Sequence, residues 1–177
     1  MRANKPEFAT VEPIKVLTIT SVGNPNESER YFKALYGTAY STKFKVYKPQ
    51  GLDMKFGKLI GRWPDAHLKP KDQWTGIWGL PVPEFVRQED LVQKDPKLPI
   101  AVEVWEYGEV AQILHKGSYD QEGPTIILLH KFIKDSGYVI DGNSHEEVYL
   151  TSPDAKDQKT LIRYKIKKAT NASHIEH

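Results

Sequence analysis

The stretch Glu109-Val-Ala-Gln-Ile-Leu-His-Lys116, followed by Gly117-Ser-Tyr-Asp120, decides how this chain is read. Its first eight residues carry a strand pattern. Gly117 then supplies a turn residue that tolerates positive φ, and an apolar helix pattern follows. The same succession stands 94 residues earlier, the distance from Gly117 back to Gly23. There Ile14–Val22 is the strand pattern, Gly23-Asn-Pro-Asn26 the turn, and a helix follows. The first helix carries Phe32, Leu35, Tyr36, Ala39 and Tyr40, an i, i+3, i+4, i+7, i+8 stripe. The matching positions of the second are Ile126, Leu129, His130, Ile133 and Lys134, of which three stay apolar. Pro124 suits a first helical turn and Gly137 a helix C-terminus.

Each helix pattern leads into two further strand patterns. In the first half these are Met54–Trp63 and Gln73–Leu80, and in the second His145–Leu150 and Thr160–Ile166. Pro64 and Pro153 follow the middle strands as stops. The unit is therefore β-α-β-β, written twice, over 12–82 and 108–168. Residues 83–107 join the copies through a helical stretch, Pro83–Lys94, and a strand, Leu98–Tyr107. This pattern predicts a single α+β domain over 8–168, with short tails at 1–7 and 169–177 flexible. It has an antiparallel sheet, two main helices packed on it, and two repeats related by a pseudo-two-fold axis. A period this long is no solenoid, and a cleft at the junction of the halves is the natural place for a site.

The bulk composition narrows the function classes. Lys and Arg number 25 against 23 Asp and Glu, and no basic cluster marks a nucleic-acid arm. The absence of cysteine removes disulfides, thiolate metal sites and Cys nucleophiles. No apolar stretch reaches the roughly 20 residues of a membrane span, and no signal-peptide pattern opens the chain. A cytoplasmic monomer or homodimer that binds neither nucleic acid nor membrane is expected. No G-x-S-x-G, phosphate loop, dinucleotide fingerprint or H-E-x-x-H is present. Of the six histidines (67, 115, 130, 145, 174 and 177), only His174 and His177 share a helical spacing, and they sit at the end of the chain. Neither metal nor cofactor is expected.

The candidate chemistry lies on the strands. In Asn143-Ser-His-Glu-Glu-Val-Tyr-Leu150 alternation sends Val148 and Leu150 towards a core, and His145, Glu147 and Tyr149 together to the other face. Trp74 and Trp78 share a face with Gly76 between them, leaving room for something flat. Trp105 and Tyr107 share a face on the linker strand, and Trp63 ends a strand of the first copy. With Tyr36 and Tyr40 of the first helix these are the candidate ligand-binding aromatics, against the alternative that large aromatics simply fill cores. Asp120 reads as an acid favoured by the helix dipole, and His115 as structural. Tyr119 is placed to reach over the junction. Glu147, with Tyr119 or Tyr149, is the one acid–base set with geometric support. Burial among aromatics should raise the pKa of Glu147, fitting it for proton transfer or as the counter-charge of a cationic ligand.

These motifs resemble the GyrI-like, or gyrase-inhibitor-like, small-molecule-binding family over about residues 8–168. The resemblance is carried by Val110–Asp120, by His145-Glu-Glu-Val-Tyr-Leu-Thr-Ser-Pro153 and by Leu161-Ile-Arg-Tyr164. It implies a duplicated β-α-β-β fold, of the kind called SHS2, with an aromatic ligand cleft in which Glu147 is the acid. Relatives fused to helix-turn-helix modules sense drugs, and this chain has no room for such a module. With its tryptophans and Pro83-Glu-Phe-Val86 it is more similar to the stand-alone branch. Some members of that branch are hydrolases that open the cyclopropane of polycyclic DNA-alkylating antibiotics. Where the branch often has Leu-Glu-Gly, this chain has Leu59-Ile-Gly61, so one pocket acid is missing, and the segment from Pro153 to Lys159 is short. The resemblance implies capture of flat aromatic, hydrophobic or cationic compounds, with that hydrolysis as the alternative and gyrase modulation a distant third.

Overall fold

The computed structural model describes residues 1–66, 68–142, 145–152 and 154–170. His67, Pro153, His174 and His177 lie outside these. Among the described residues, nine strands and two α-helices follow one another as β1 (Glu7–Val11), β2 (Ile14–Val22), α1 (Glu29–Thr42), β3 (Ile60–Arg62), β4 (Thr75–Pro81), β5 (Ala101–Trp105), β6 (Gly108–Lys116), α2 (Gly123–Asp135), β7 (Tyr138–Ile140), β8 (Glu146–Tyr149) and β9 (Lys159–Lys168). One antiparallel sheet runs β1-β6-β9-β8-β3-β4-β2-β5, with β7 paired to β9 alongside. It is a curled sheet with two main helices, the α+β class expected.

Chain order explains why the middle of the sheet matters. On one side of the β8–β3 pairing the order is β6-β9-β8; on the other it is β3-β4-β2. Each half thus brings its middle strand to the centre, where Gly61 lies opposite Glu147. The expected strand–turn–helix starts are found in both halves. Gly23 has φ +114° and Gly117 φ +129°, values that L side chains rarely adopt. Pro124 stands in the first turn of α2, and Gly137, with φ +82°, follows its last turn.

Packing divides into three groups of side chains. One, with Leu17, Leu35, Ala39, Met54 and Leu80, lies between α1 and its half of the sheet. A second, with Ala111, Ile113, Leu129, Ile133 and Ile162, lies under α2. The third, with Val16, Ile60, Trp105, Tyr107, Val110 and Val148, fills the opposite face of the curled sheet.

Three segments depart from the sequence reading. Pro83–Lys94 is not a helix; only Gln88–Asp90 forms a single 3-10 turn. Three of its backbone N–H groups bond to side chains of the preceding half instead of continuing a helix. Arg87 N–H donates to Tyr47 Oη at 3.0 Å, Val92 to Thr42 Oγ1 at 2.9 Å and Lys94 to Thr38 Oγ1 at 3.2 Å. Two threonines buried on α1 hold this linker extended across the helix, so tertiary acceptors win over local propensity. Residues 1–7 are not a free tail either. Glu7–Val11 pairs with β6, Asn4 N–H donates to Leu114 O at 2.9 Å, and Phe8 packs on Phe132 and Tyr138. Finally, the Met54–Trp63 pattern yields only the short β3, because Met54 is fully buried in a non-strand segment.

Candidate functional site

Between α1, α2 and the centre of the sheet lies a cavity of about 1180 Å³. That is room enough for a polycyclic ligand, at the upper end of ordinary small-molecule pockets. The helices line it from equivalent positions: Phe32 and Tyr36 from α1, Ile126 and His130 from α2. The sheet supplies Trp63, Trp74 and Trp78 on one side and Glu147 and Tyr149 on the other, and Tyr119 closes in from the turn before α2.

The aromatic wall is built by edge contacts. Trp63 meets Trp78 at 5.0 Å between ring centroids and 88°, and Phe32 meets Trp78 at 4.7 Å and 82°. Such T-shaped pairs are favoured by the ring quadrupoles. Trp78 is pinned by its indole N–H donating to Ser21 Oγ at 2.9 Å, and Trp74 by its own donating to Lys69 O at 2.9 Å. Tyr119 stands on edge to Tyr149 at 5.7 Å. The sheet backbone comes close only where side chains are absent. A Cβ on Gly61 would sit 2.8 Å from the Tyr149 hydroxyl and 3.0 Å from Trp78. Gly76 corrects the sequence reading: its free face is filled by Ser21, Trp63 and Trp78, and so offers no seat to a flat ligand.

Alternation along β8 points Glu147 and Tyr149 into this wall and Val148 away from it, as read from the sequence. Tyr149 donates to Glu147 Oε2 at 3.0 Å, and His145 Nε2 approaches Oε1 at 3.5 Å. The other nitrogen of His145 lies 2.7 Å from the hydroxyl of Tyr164. Burial alone would push Glu147 up, the direction read from the sequence. Its hydrogen bonds from His145, Glu122 and Tyr149 overturn that and hold it below the usual carboxylate range. The raised carboxyl is Glu122, pushed up by burial first and then by the neighbouring Glu147. Tyr149 is raised by burial and by Glu147, so it remains a phenol and a donor. The site thus sets two carboxyls, shifted in opposite directions, into one wall beneath aromatic rings.

Of the residues singled out in the sequence, Glu147, Tyr149, Tyr119, Trp63, Trp74, Trp78 and Tyr36 come together here. Three do not. Tyr40 faces outward, 49% exposed, against Phe44 and Phe56. Trp105 and Tyr107 lie on the other face of the sheet, because β5 pairs with β2 so that the Trp105 ring covers Gly79. His115 is structural, as read, with one ring nitrogen 2.8 Å from Thr125 Oγ1 and the other 2.9 Å from Ser118 O. The residue that sequence reasoning missed is Glu122. Just before a helix it is indistinguishable from an acid drawn there by the dipole. His130 and Ile126 could have been found, since they stand 94 residues beyond Tyr36 and Phe32. Among the described residues no cluster of His, Cys, Asp and Glu is suited to a metal, and no helix is long and apolar enough to cross a membrane.

The curled sheet, the two helices and a cleft with a buried acid define a small-molecule-binding class. Residues 4–167 match the model of the GyrI-like small molecule binding domain, and the chain belongs to that family. An uncharacterised conserved protein of Listeria innocua is 27% identical with a TM-score of 0.81, over 93% of each chain. A hydrolase of the same organism is 25% identical with a TM-score of 0.80, again over 93% of each. The C-terminal domain of EcmrR shares the fold at 14% identity and a TM-score of 0.64, over 93% of this chain and 98% of that one. No curated protein matches the sequence.

Proposed function

We propose that this protein captures flat aromatic, hydrophobic or cationic small molecules, holding them between the tryptophan wall and the Glu147 carboxylate. The observation that carries this is a buried acid, Glu147, at the floor of a cavity with tryptophan and tyrosine rings along its walls. A carboxylate with so little solvent is costly unless something positive or polar meets it. A cationic ligand supplies that charge, and each ring face adds about 0.5–2 kcal/mol of cation–π attraction. Trp63, Trp74 and Trp78 make the test direct. Titration with a flat cationic dye should quench tryptophan fluorescence, and Glu147→Gln should weaken the dye at least tenfold while sparing a neutral polycycle of equal size. Equal loss of both would refute the charge role.

A second reading is favoured by the unequal carboxyls together with the likeness to a Listeria hydrolase. Glu147 would take a proton from water that attacks an electrophilic carbon such as a cyclopropane. The ring C–C bond would break as the water oxygen bonds to carbon, its electron pair passing to a conjugated carbonyl oxygen. Glu122, Tyr149 or Tyr119 would protonate that oxygen. Incubation with a duocarmycin-type compound, followed by mass spectrometry, tests it. Turnover that Glu147→Gln abolishes supports hydrolysis; tight binding without product removes it and leaves capture standing.

A further inference from the structure

We propose that the cleft exchanges the proton held between Glu122 and Glu147 for a lipophilic organic cation, so that capture of one cation releases up to one proton. This deepens the capture reading above and rests on it. The geometry begins with Glu122, which lines the cavity at only 6% exposure. Its Oε1 is buried and has no hydrogen-bond partner. The polar group it does meet is the Glu147 carboxylate, an acceptor. With no donor on its buried oxygen, Glu122 is tolerated there as the neutral acid, whose O–H can face an acceptor. Glu147, by contrast, already has its own donors in Tyr149 and His145. A second ionised carboxyl beside Glu147 is disfavoured while no cation meets the pair.

A cation seated over Glu147 removes that obstacle. Its charge makes a second carboxylate acceptable, and Glu122 stands at the N-terminus of the 13-residue helix α2, whose dipole favours the same charge. The balance is one proton out for one cation in, with no bond to carbon made or broken. Other titrating groups face the pair and must be separated from it. His145 precedes β8, His130 comes from α2, and Tyr164 from β9. Tyr119 and Asp120 lie on the turn before α2, Tyr36 on α1, and Lys58 and Lys71 border the cavity from the loops around β3. Burial, then His145, lowers the pKa of His130, so it offers no proton above neutral pH.

Isothermal titration calorimetry with ethidium, a permanent cation, at one pH in phosphate and in Tris counts the protons exchanged. Pyrenemethanol serves as the neutral probe. The wild-type protein should release close to one proton per ethidium, its affinity rising up to about tenfold per pH unit while the pair still holds its proton. Pyrenemethanol should show neither effect. Glu122→Gln keeps the Glu147 charge, and should bind ethidium with no proton release and a flat pH profile. Ethidium binding whose enthalpy does not vary with buffer overturns the exchange and leaves capture intact. Proton release that persists in Glu122→Gln assigns the proton to a histidine and also overturns it. Failure of both probes to bind overturns capture, and exchange with it.

Discussion

Glu146 and Glu147 are neighbours on β8, both buried, yet they belong to opposite faces of the sheet and to opposite kinds of chemistry. Glu146 is saturated. It accepts from Arg62 Nε at 2.9 Å, Arg163 Nη1 at 3.1 Å and the Tyr107 hydroxyl at 2.7 Å, while Arg62 lies 3.7 Å over the Trp105 ring. Glu147 faces another carboxyl, a histidine, a phenol and empty space. One acid is spent on holding the sheet together; the other keeps unspent charge for a ligand. A buried charge signals function only when its neighbours leave it something to do.

Breaking this contrast should have its largest effect on stability at Glu146. Glu146→Ala strands two guanidinium groups inside the sheet, and should lower unfolding free energy by about 3–5 kcal/mol in urea titrations. Glu147→Gln should change it by only about 1 kcal/mol, since the amide oxygen still accepts from the Tyr149 hydroxyl and no guanidinium is stranded. Equal losses would erase the distinction between the faces.

Next in size is a pH effect confined to the cleft. The pKa of Glu122 is raised in the folded protein by burial and by Glu147. Its contribution is therefore complete below the ordinary glutamic-acid range and is lost as pH rises towards its folded pKa. Glu122→Gln has nothing to lose, so its stability relative to wild type should improve by on the order of 1–3 kcal/mol between pH 5 and pH 8. A constant difference across that range would show that Glu122 is not held protonated.

Gly61→Ala sharpens the comparison from the backbone. The new Cβ would crowd Tyr149 and Trp78 but not Arg62, which lies on the other face. It should cost about 1–3 kcal/mol by overpacking and distort the cleft, weakening dye quenching. Smallest of all is the paired loss of a phenol. Tyr107→Phe removes a donor to Glu146 and Tyr149→Phe one to Glu147, each worth about 1–2 kcal/mol. Only the second should alter ligand affinity, and a change in affinity for Tyr107→Phe would join the two faces into one site.

How much of this was legible follows the range of the forces involved. The strand-to-helix starts at Gly23 and Gly117 were readable, since a glycine needing positive φ announces itself locally. So was the side to which Glu147 and Tyr149 point, because alternation is a property of one strand. Trp105 and Tyr107 misled because alternation says which residues share a face, but not which face meets the cavity. That depends on β5 pairing with β2, which places Trp105 on Gly79. The linker misled for a similar reason: Pro83–Lys94 read as helical, but threonines of α1 claim the N–H groups of Val92 and Lys94.

By itself, then, the sequence determined the family, the order of elements in both halves apart from the added β7, the two helix faces and the side to which Glu147 points. Each is written in short-range pattern, through glycine conformation, strand alternation and helical periodicity. Only the tertiary structure decided that Glu122 joins Glu147 in one cavity wall and that Glu146 is spent on two arginines. Those outcomes depend on which groups burial forces together and which it leaves without a donor, and no local pattern records that.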